Sequence, residues 1–340
     1  MEDAKREPGL QSPAGSLLET VETPRGLARR RIALQLIGLA IGIALLIWVF
    51  VLAFNERNQK SLEALRAAPA WEVLLLGGLV VTGIAVNGVM FQVVLRPLRR
   101  LPLLDVIIVN AIATFLTVLP FKLGLLTRAL IHHRRDGLRF KTIIAWLAAF
   151  AALGLAVMIP LTAATLWRGR LDWLWWTSAL AGILVCNIAG VALGRASDRL
   201  PILARLSLGA DQVVRHPAPV IGHGVLRLID IGLISARFIT AAMIIDVTLP
   251  PEQAVLLASS YFLLSVASPA GTLGFREMGV AATGLFGGID GPTVALITLV
   301  ISAAELVIAG VLALAGAAWL RLDLIFVRGA PTSAGEHPHP

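Results

Sequence analysis

Residues 103–135 read LLDVIIVNAIATFLTVLPFKLGLLTRALIHHRR. Leu103 to Leu119 is apolar and stops at Pro120; Phe121 to His133 continues weakly before Arg134 and Arg135. A helix needs about 20 apolar residues to cross a hydrocarbon core of about 30 Å, and proline interrupts a helix interior. Neither half is a full crossing by itself. Basic residues stand on both sides, with Arg96, Arg99 and Arg100 before the stretch and Arg134 and Arg135 after it. Short cytoplasmic loops are enriched in Lys and Arg. The stretch therefore reads as a re-entrant hairpin that enters from the cytoplasm, turns near Pro120 and returns. The alternative is a full crossing here and at a second broken segment, which makes eight crossings in all.

The rest of the chain supplies the context. Of 340 residues, 57% are hydrophobic and only 15% charged, against about 25% charged in soluble proteins. Apolar runs account for the excess: Ile32 to Phe54, Trp71 to Leu95, Thr142 to Leu166, Trp173 to Leu193, Ala218 to Val247 and Pro292 to Leu320. Arg195 to His216 is basic and partly amphipathic, which suits a helix lying on the membrane surface. With Arg29 to Arg31 in the cytoplasm, alternating spans place 19 of the 29 Lys and Arg residues in cytoplasmic segments, 5 outside and 5 at membrane depth. The expected architecture is all-α and polytopic, with about eight membrane segments: six full spans and two re-entrant hairpins. A membrane domain at 29–325 lies between polar cytoplasmic tails at 1–28 and 326–340, both expected to be disordered. The first apolar run is too long for a signal-peptide core and reads as an uncleaved span. The expected location is a bacterial inner membrane with both termini cytoplasmic.

The second broken segment is Glu252 to Gly288, interrupted by Ser268-Pro269-Ala270-Gly271-Thr272-Leu273-Gly274-Phe275-Arg276. The first break, Leu119-Pro120-Phe121-Lys122-Leu123-Gly124 with Arg128 after it, has the same order of apolar run, Pro, Gly and Arg. The two enter from opposite faces, as in an inverted repeat with broken helices near the midplane.

Irregular backbone at membrane depth has to line a cavity or be buried in protein, because lipid cannot hydrogen-bond it. A half-helix starting after such a break presents free N–H groups and the positive end of its dipole. Lys122, Arg128 and Arg276 add full charges, so an anionic group such as a lipid phosphate fits the two breaks. The plainer account is a pair of packed kinks with snorkelling basic residues. In the span from Ala218, residues His223, Arg227, Asp230 and Arg237 share one helical stripe. Arg227 and Asp230 are spaced to pair with each other. Arg237 has no partner on its own helix; Glu305 in the last span or a substrate phosphate would serve. Glu277 follows Arg276 directly, so the two side chains are expected to point about 100° apart, leaving Glu277 to pair with Arg237 or accept a proton. Asn87, Asn110 and Asn187 read as interhelical hydrogen-bonding groups.

Other features carry less. Cys186 reads as a small core residue. Trp167, Trp173, Trp175 and Trp176 read as an interfacial belt. His132 and His133 lie among arginines, which oppose a metal cation, and the chain shows no nucleotide phosphate loop or other cofactor motif.

The segments Pro120-Phe121-Lys122-Leu123-Gly124 with Arg128, and Pro269-Ala270-Gly271-Thr272-Leu273-Gly274-Phe275-Arg276-Glu277, resemble those of the flippase-like family, the membrane region of lysylphosphatidylglycerol synthases. Thr272 departs from the pattern, where a second glycine is commoner. The resemblance covers roughly Ile32 to Arg321. It implies a bundle of about eight membrane segments that translocates lipids: aminoacylated phospholipids, or isoprenoid- or hopanoid-type lipids. In the full-length synthases an aminoacyl-transferase domain follows; here the chain ends about twenty residues after the last span, so the resemblance implies the transport half without the synthase activity.

The expected function is thus a lipid translocase or lipid-binding protein, not an enzyme, taking a membrane lipid and no nucleic acid. Its expected substrate-binding residues are Lys122, Gly124, Arg128, Arg227, Asp230, Arg237, Pro269, Gly271, Gly274, Arg276, Glu277 and Glu305. The alternative is an accessory subunit of a lipid-modifying enzyme or glycosyltransferase. An enzyme would draw on Glu277, Glu305 and His223, but no nucleophile–base pair stands at motif spacing.

Overall fold

A computed structural model describes residues 25–117, 123–268 and 274–322. Among them every regular element is a helix. The tails at 1–24 and 323–340 and both breaks, with Lys122, Pro269 and Gly271, lie outside the described residues. Helix α1 (Arg25–Ala53) already begins ahead of the boundary expected at residue 29. A short helix, α2 (Gln59–Arg66), leads into α3 (Ala70–Leu95). Then come α4 (Leu103–Thr117), α5 (Leu123–Arg134), α6 (Phe140–Arg168), α7 (Trp173–Ala196), α8 (Pro201–Leu206) and α9 (Asp211–Val214). The last four are α10 (Pro217–Ile244), α11 (Pro251–Ala267), α12 (Phe275–Phe286) and α13 (Gly291–Trp319).

The distribution of polarity is inverted relative to a soluble protein. Leu74, Val185, Val307 and Leu314 face outward with at least 60% of their surface exposed, while Arg227 is wholly buried. Only a hydrocarbon solvent makes that arrangement favourable. Four helices, α3, α6, α7 and α13, are long and apolar enough to cross a bilayer. Helix α10 is as long, at 28 residues, but its three charges, Arg227, Asp230 and Arg237, are turned into the protein. The chain is a multi-pass membrane protein.

Helices α4, α5, α11 and α12 have 15, 12, 17 and 12 residues, about 18–26 Å each. Arg135, just after α5, pairs with Asp105 in the first turn of α4 at 2.8 Å. Gln253, in the first turn of α11, donates to the carbonyl of Gly287, just after α12, at 2.9 Å. Each pair therefore begins and ends side by side. Gly124 makes the first pairing possible: a Cβ there would stand 2.2 Å from the carbonyl oxygen of Ala113.

Around these pairs, α3 and α10 pack along each other at the centre, α1 lies against α13, and α7 lies against α6. One core surrounds Phe238, Leu257, Tyr261 and Val294. Another surrounds Phe91, Val94, Trp146 and Val213.

Several sequence expectations are corrected. Residues 195–216 are not one surface helix: α7 runs on to Ala196, Pro201 starts a new helix, and left-handed backbone at Leu208 and Gly209 separates α8 from α9. Trp175 leaves the aromatic belt for the core, where its indole N–H donates to Thr165 Oγ1 at 3.0 Å. Cys186 is half-buried rather than in the core. Asn187 bonds within its own helix, to the carbonyl of Ile183 at 2.8 Å.

The loop between α6 and α7 carries a clasp centred on Asp172. Asp172 caps α7 by accepting the Trp175 N–H at 2.9 Å, and it also accepts from Arg168 and from Arg170 Nε. The hydrogen bond from Arg168 holds its carboxyl well below the usual carboxylate range. A depressed folded-state pKa contributes stability that is fully present above the unfolded value of about 3.9 and is lost as pH falls below it. Asp172→Asn is therefore expected to lower the thermal midpoint at pH 7 and to match the wild type progressively more closely below about pH 4, read by unfolding in detergent across that range.

Candidate functional site

Between the two helix pairs lies a cavity of about 310 Å³. Arg128 (α5), Arg227, Asp230 and Arg237 (α10), Arg276 (α12) and Glu305 (α13) all line it. Six of the residues expected at a site from sequence are thus brought together from four helices. Of the remainder, Gly124 lines an adjoining cavity of about 340 Å³ that shares Phe91, Arg128 and Phe262 with the first.

Each guanidinium is held differently. Arg237 pairs with Glu305 at 2.8 Å, and its Nε donates to the Leu79 carbonyl at 3.3 Å. Arg237 reaches Glu305 past Gly83, where a Cβ would stand 1.6 Å from its Nη2. Arg276 also reaches Glu305, at 3.2 Å. The Tyr261 hydroxyl donates to the same carboxylate at 2.5 Å, and its ring lies 4.1 Å from the Arg276 guanidinium. Arg227 pairs with Asp230 at 2.8 Å and faces the Phe262 ring at 4.3 Å. Its Nε and Nη2 are buried with no hydrogen-bond partner among the described residues. Arg128 has a neutral partner, donating to Asn110 Oδ1 at 2.6 Å, and lies 3.5 Å from the centre of the Phe91 ring.

Glu277 departs from expectation. It pairs with its neighbour Arg276 at 2.9 Å rather than with Arg237. Its other oxygen accepts the Gly274 N–H at 2.7 Å, so the positive end of α12, expected free for an anion, is capped from within. Ser302 closes the cluster, donating to Glu277 at 2.9 Å and accepting from Arg276 at 3.0 Å.

A family model described as the lysylphosphatidylglycerol synthase TM region matches residues 35–313. The chain belongs to that family. Every residue lining the cavity falls inside the matched stretch of the lysylphosphatidylglycerol synthase TM region. Comparison with curated proteins and with solved structures gives no match.

Sequence reasoning missed Tyr261 and the aromatic rings against Arg128 and Arg227. Tyr261 had a signal: it is the sole tyrosine of the chain, set in an apolar run, where a hydroxyl calls for a partner. The Phe rings had none, since a phenylalanine in an apolar span is indistinguishable from its lipid-facing neighbours. Asn110 was expected to hydrogen-bond between helices and does so, donating to the Ile84 carbonyl at 2.8 Å; that it also accepts from Arg128 depends on the pairing of α4 with α5.

Proposed function

We propose that this membrane domain binds the anionic head group of a lipid in the cavity between its helix pairs and moves the lipid across the bilayer without chemical change. The observation that carries this reading is the charge of the cavity wall, where four guanidinium groups face two carboxylates. Among the described residues, Arg227 retains buried unpartnered donors and Arg128 has only a neutral partner. Guanidinium forks suit phosphate oxygens, and an electropositive cavity is costly to maintain in hydrocarbon without a ligand of opposite charge. The adjoining cavity, walled by Leu125, Leu147 and Phe262, offers apolar surface for an acyl chain.

The same reading takes α4–α5 and α11–α12 as re-entrant hairpins entering from opposite faces. The adjacency of their ends and their short lengths support it. An inverted repeat follows, with α1, α3, α4–α5 and α6 matched by α7, α10, α11–α12 and α13. The packing of α1 on α13, of α7 on α6, and of α3 on α10 is consistent with an approximate two-fold axis between the halves. The distribution of Lys and Arg favours cytoplasmic termini in an inner membrane.

Reconstitution tests the proposal. Liposomes containing the wild-type chain and a head-group-labelled phosphatidylglycerol are expected to show transbilayer movement. Arg237→Ala and Arg276→Ala each remove a charge-assisted contact and are expected to slow it at least about tenfold while still inserting. Unchanged movement in both variants would rule out this cavity as the route. Lipid binding by the wild type without movement would instead favour an accessory role beside a lipid-modifying enzyme.

A further inference from the structure

Glu305 occupies an unusual position. Its carboxylate faces the cavity and accepts from three helices at once: Arg237 of α10, Arg276 of α12 and the Tyr261 hydroxyl of α11. Arg237 has no other carboxylate among the described residues, whereas Arg276 also holds Glu277 on its far side. Arg276 is moreover the one described residue that lines both the central cavity and an apolar pocket of about 350 Å³ between α1, α12 and α13. Arg276, one end of the Arg237–Glu305–Arg276 bridge, therefore borders both spaces.

We propose that Glu305 is a resident counter-anion that a lipid phosphate displaces. This deepens the head-group reading above and rests on it. A phosphate diester carries the same single charge as a carboxylate and accepts from the same guanidinium forks. Both anions cannot hold Arg237 and Arg276 together without repulsion at short range. While Glu305 bridges the two arginines, both guanidinium groups are held on the carboxylate. When a phosphate takes its place, the head group lies against Arg276, at the mouth of the apolar pocket.

The proposal predicts a gain, where a purely structural bridge predicts a loss. The probe is dihexanoyl phosphatidylglycerol, with dihexanoyl phosphatidylcholine as the zwitterionic control, titrated calorimetrically into the full chain in nanodiscs. Glu305→Gln removes the competing charge and is expected to bind the anionic probe roughly tenfold tighter than wild type, with little change for the control. Tyr261→Phe keeps the ring under Arg276 and removes only the hydroxyl on Glu305. It is expected to tighten binding several-fold, and it decides the matter if Glu305→Gln does not fold. Equal or weaker binding by the folded variants, with the wild type still binding the anionic probe, overturns the displacement proposal and leaves the head-group site standing. No binding by the wild type or by any folded variant overturns both.

Discussion

Asp230→Ala is expected to destabilise the protein by about 3–5 kcal/mol, the range found when one partner of a buried ion pair is removed. Arg227 is wholly buried, and its pairing with Asp230 at 2.8 Å is its sole ion pair among the described residues. The rings of Phe150 and Phe262 face its guanidinium; they offer about 2 kcal/mol when desolvated and do not replace a carboxylate. Replacing both members, Arg227→Met with Asp230→Leu, leaves no charge behind and is expected to recover most of the loss, because apolar substitution of a buried pair is often close to neutral. Denaturant unfolding in detergent compares the three proteins. Equal midpoints for Asp230→Ala and wild type would show that water reaches Arg227 and that the pair is not a buried one. The double variant should still be defective in moving lipid, since it removes one of the four cavity arginines.

The second large effect is expected at Gly274. Its φ is +76° and its ψ −43°, outside the left-handed helical well, in a region that costs an L-residue about 1–3 kcal/mol. A Cβ there would stand 1.9 Å from the Gly42 carbonyl oxygen and 2.7 Å from the Leu46 N. Both atoms are backbone, so α1 itself has to retreat. Gly288 is the internal control, with φ +72° but nothing within 4 Å of its built Cβ. Gly288→Ala is expected to incur only the backbone strain. Gly274→Ala is expected to lower the thermal midpoint several times further, and to loosen Glu277, which holds the Gly274 N–H. Equal shifts in the two variants would mean that α1 and α12 do not approach closely.

The glycines show how far the sequence reaches. Gly124 and Gly274 follow Pro120 and Pro269 in the two broken segments, and that placement was legible. What they accommodate was not, because the Ala113 carbonyl lies against one and the α1 backbone against the other, and these contacts form only when separate segments pack. Gly83 carried no signal at all in an apolar span, yet its missing side chain is what lets Arg237 through to Glu305.

Membrane class, the approximate ends of the long helices and the two broken segments were determined by the sequence alone. Each follows from a local property: hydropathy against a fixed bilayer thickness, and the inability of proline to continue a helix. Charge at membrane depth marked Arg128, Arg227, Arg237, Arg276 and Glu305 for the same reason, since each demands burial. Which charge meets which was decided only by tertiary structure. Helical spacing settled the pair Arg227–Asp230 because both lie on one helix, three residues apart. It failed for Arg276 and Glu277, whose side-chain conformations depend on the packed surroundings of the first turn of α12. It was silent on Tyr261 and Ser302, which reach the cluster from other helices. Ion-pair geometry inside a bundle depends on the relative placement of helices distant in sequence, and only the assembled bundle supplies it.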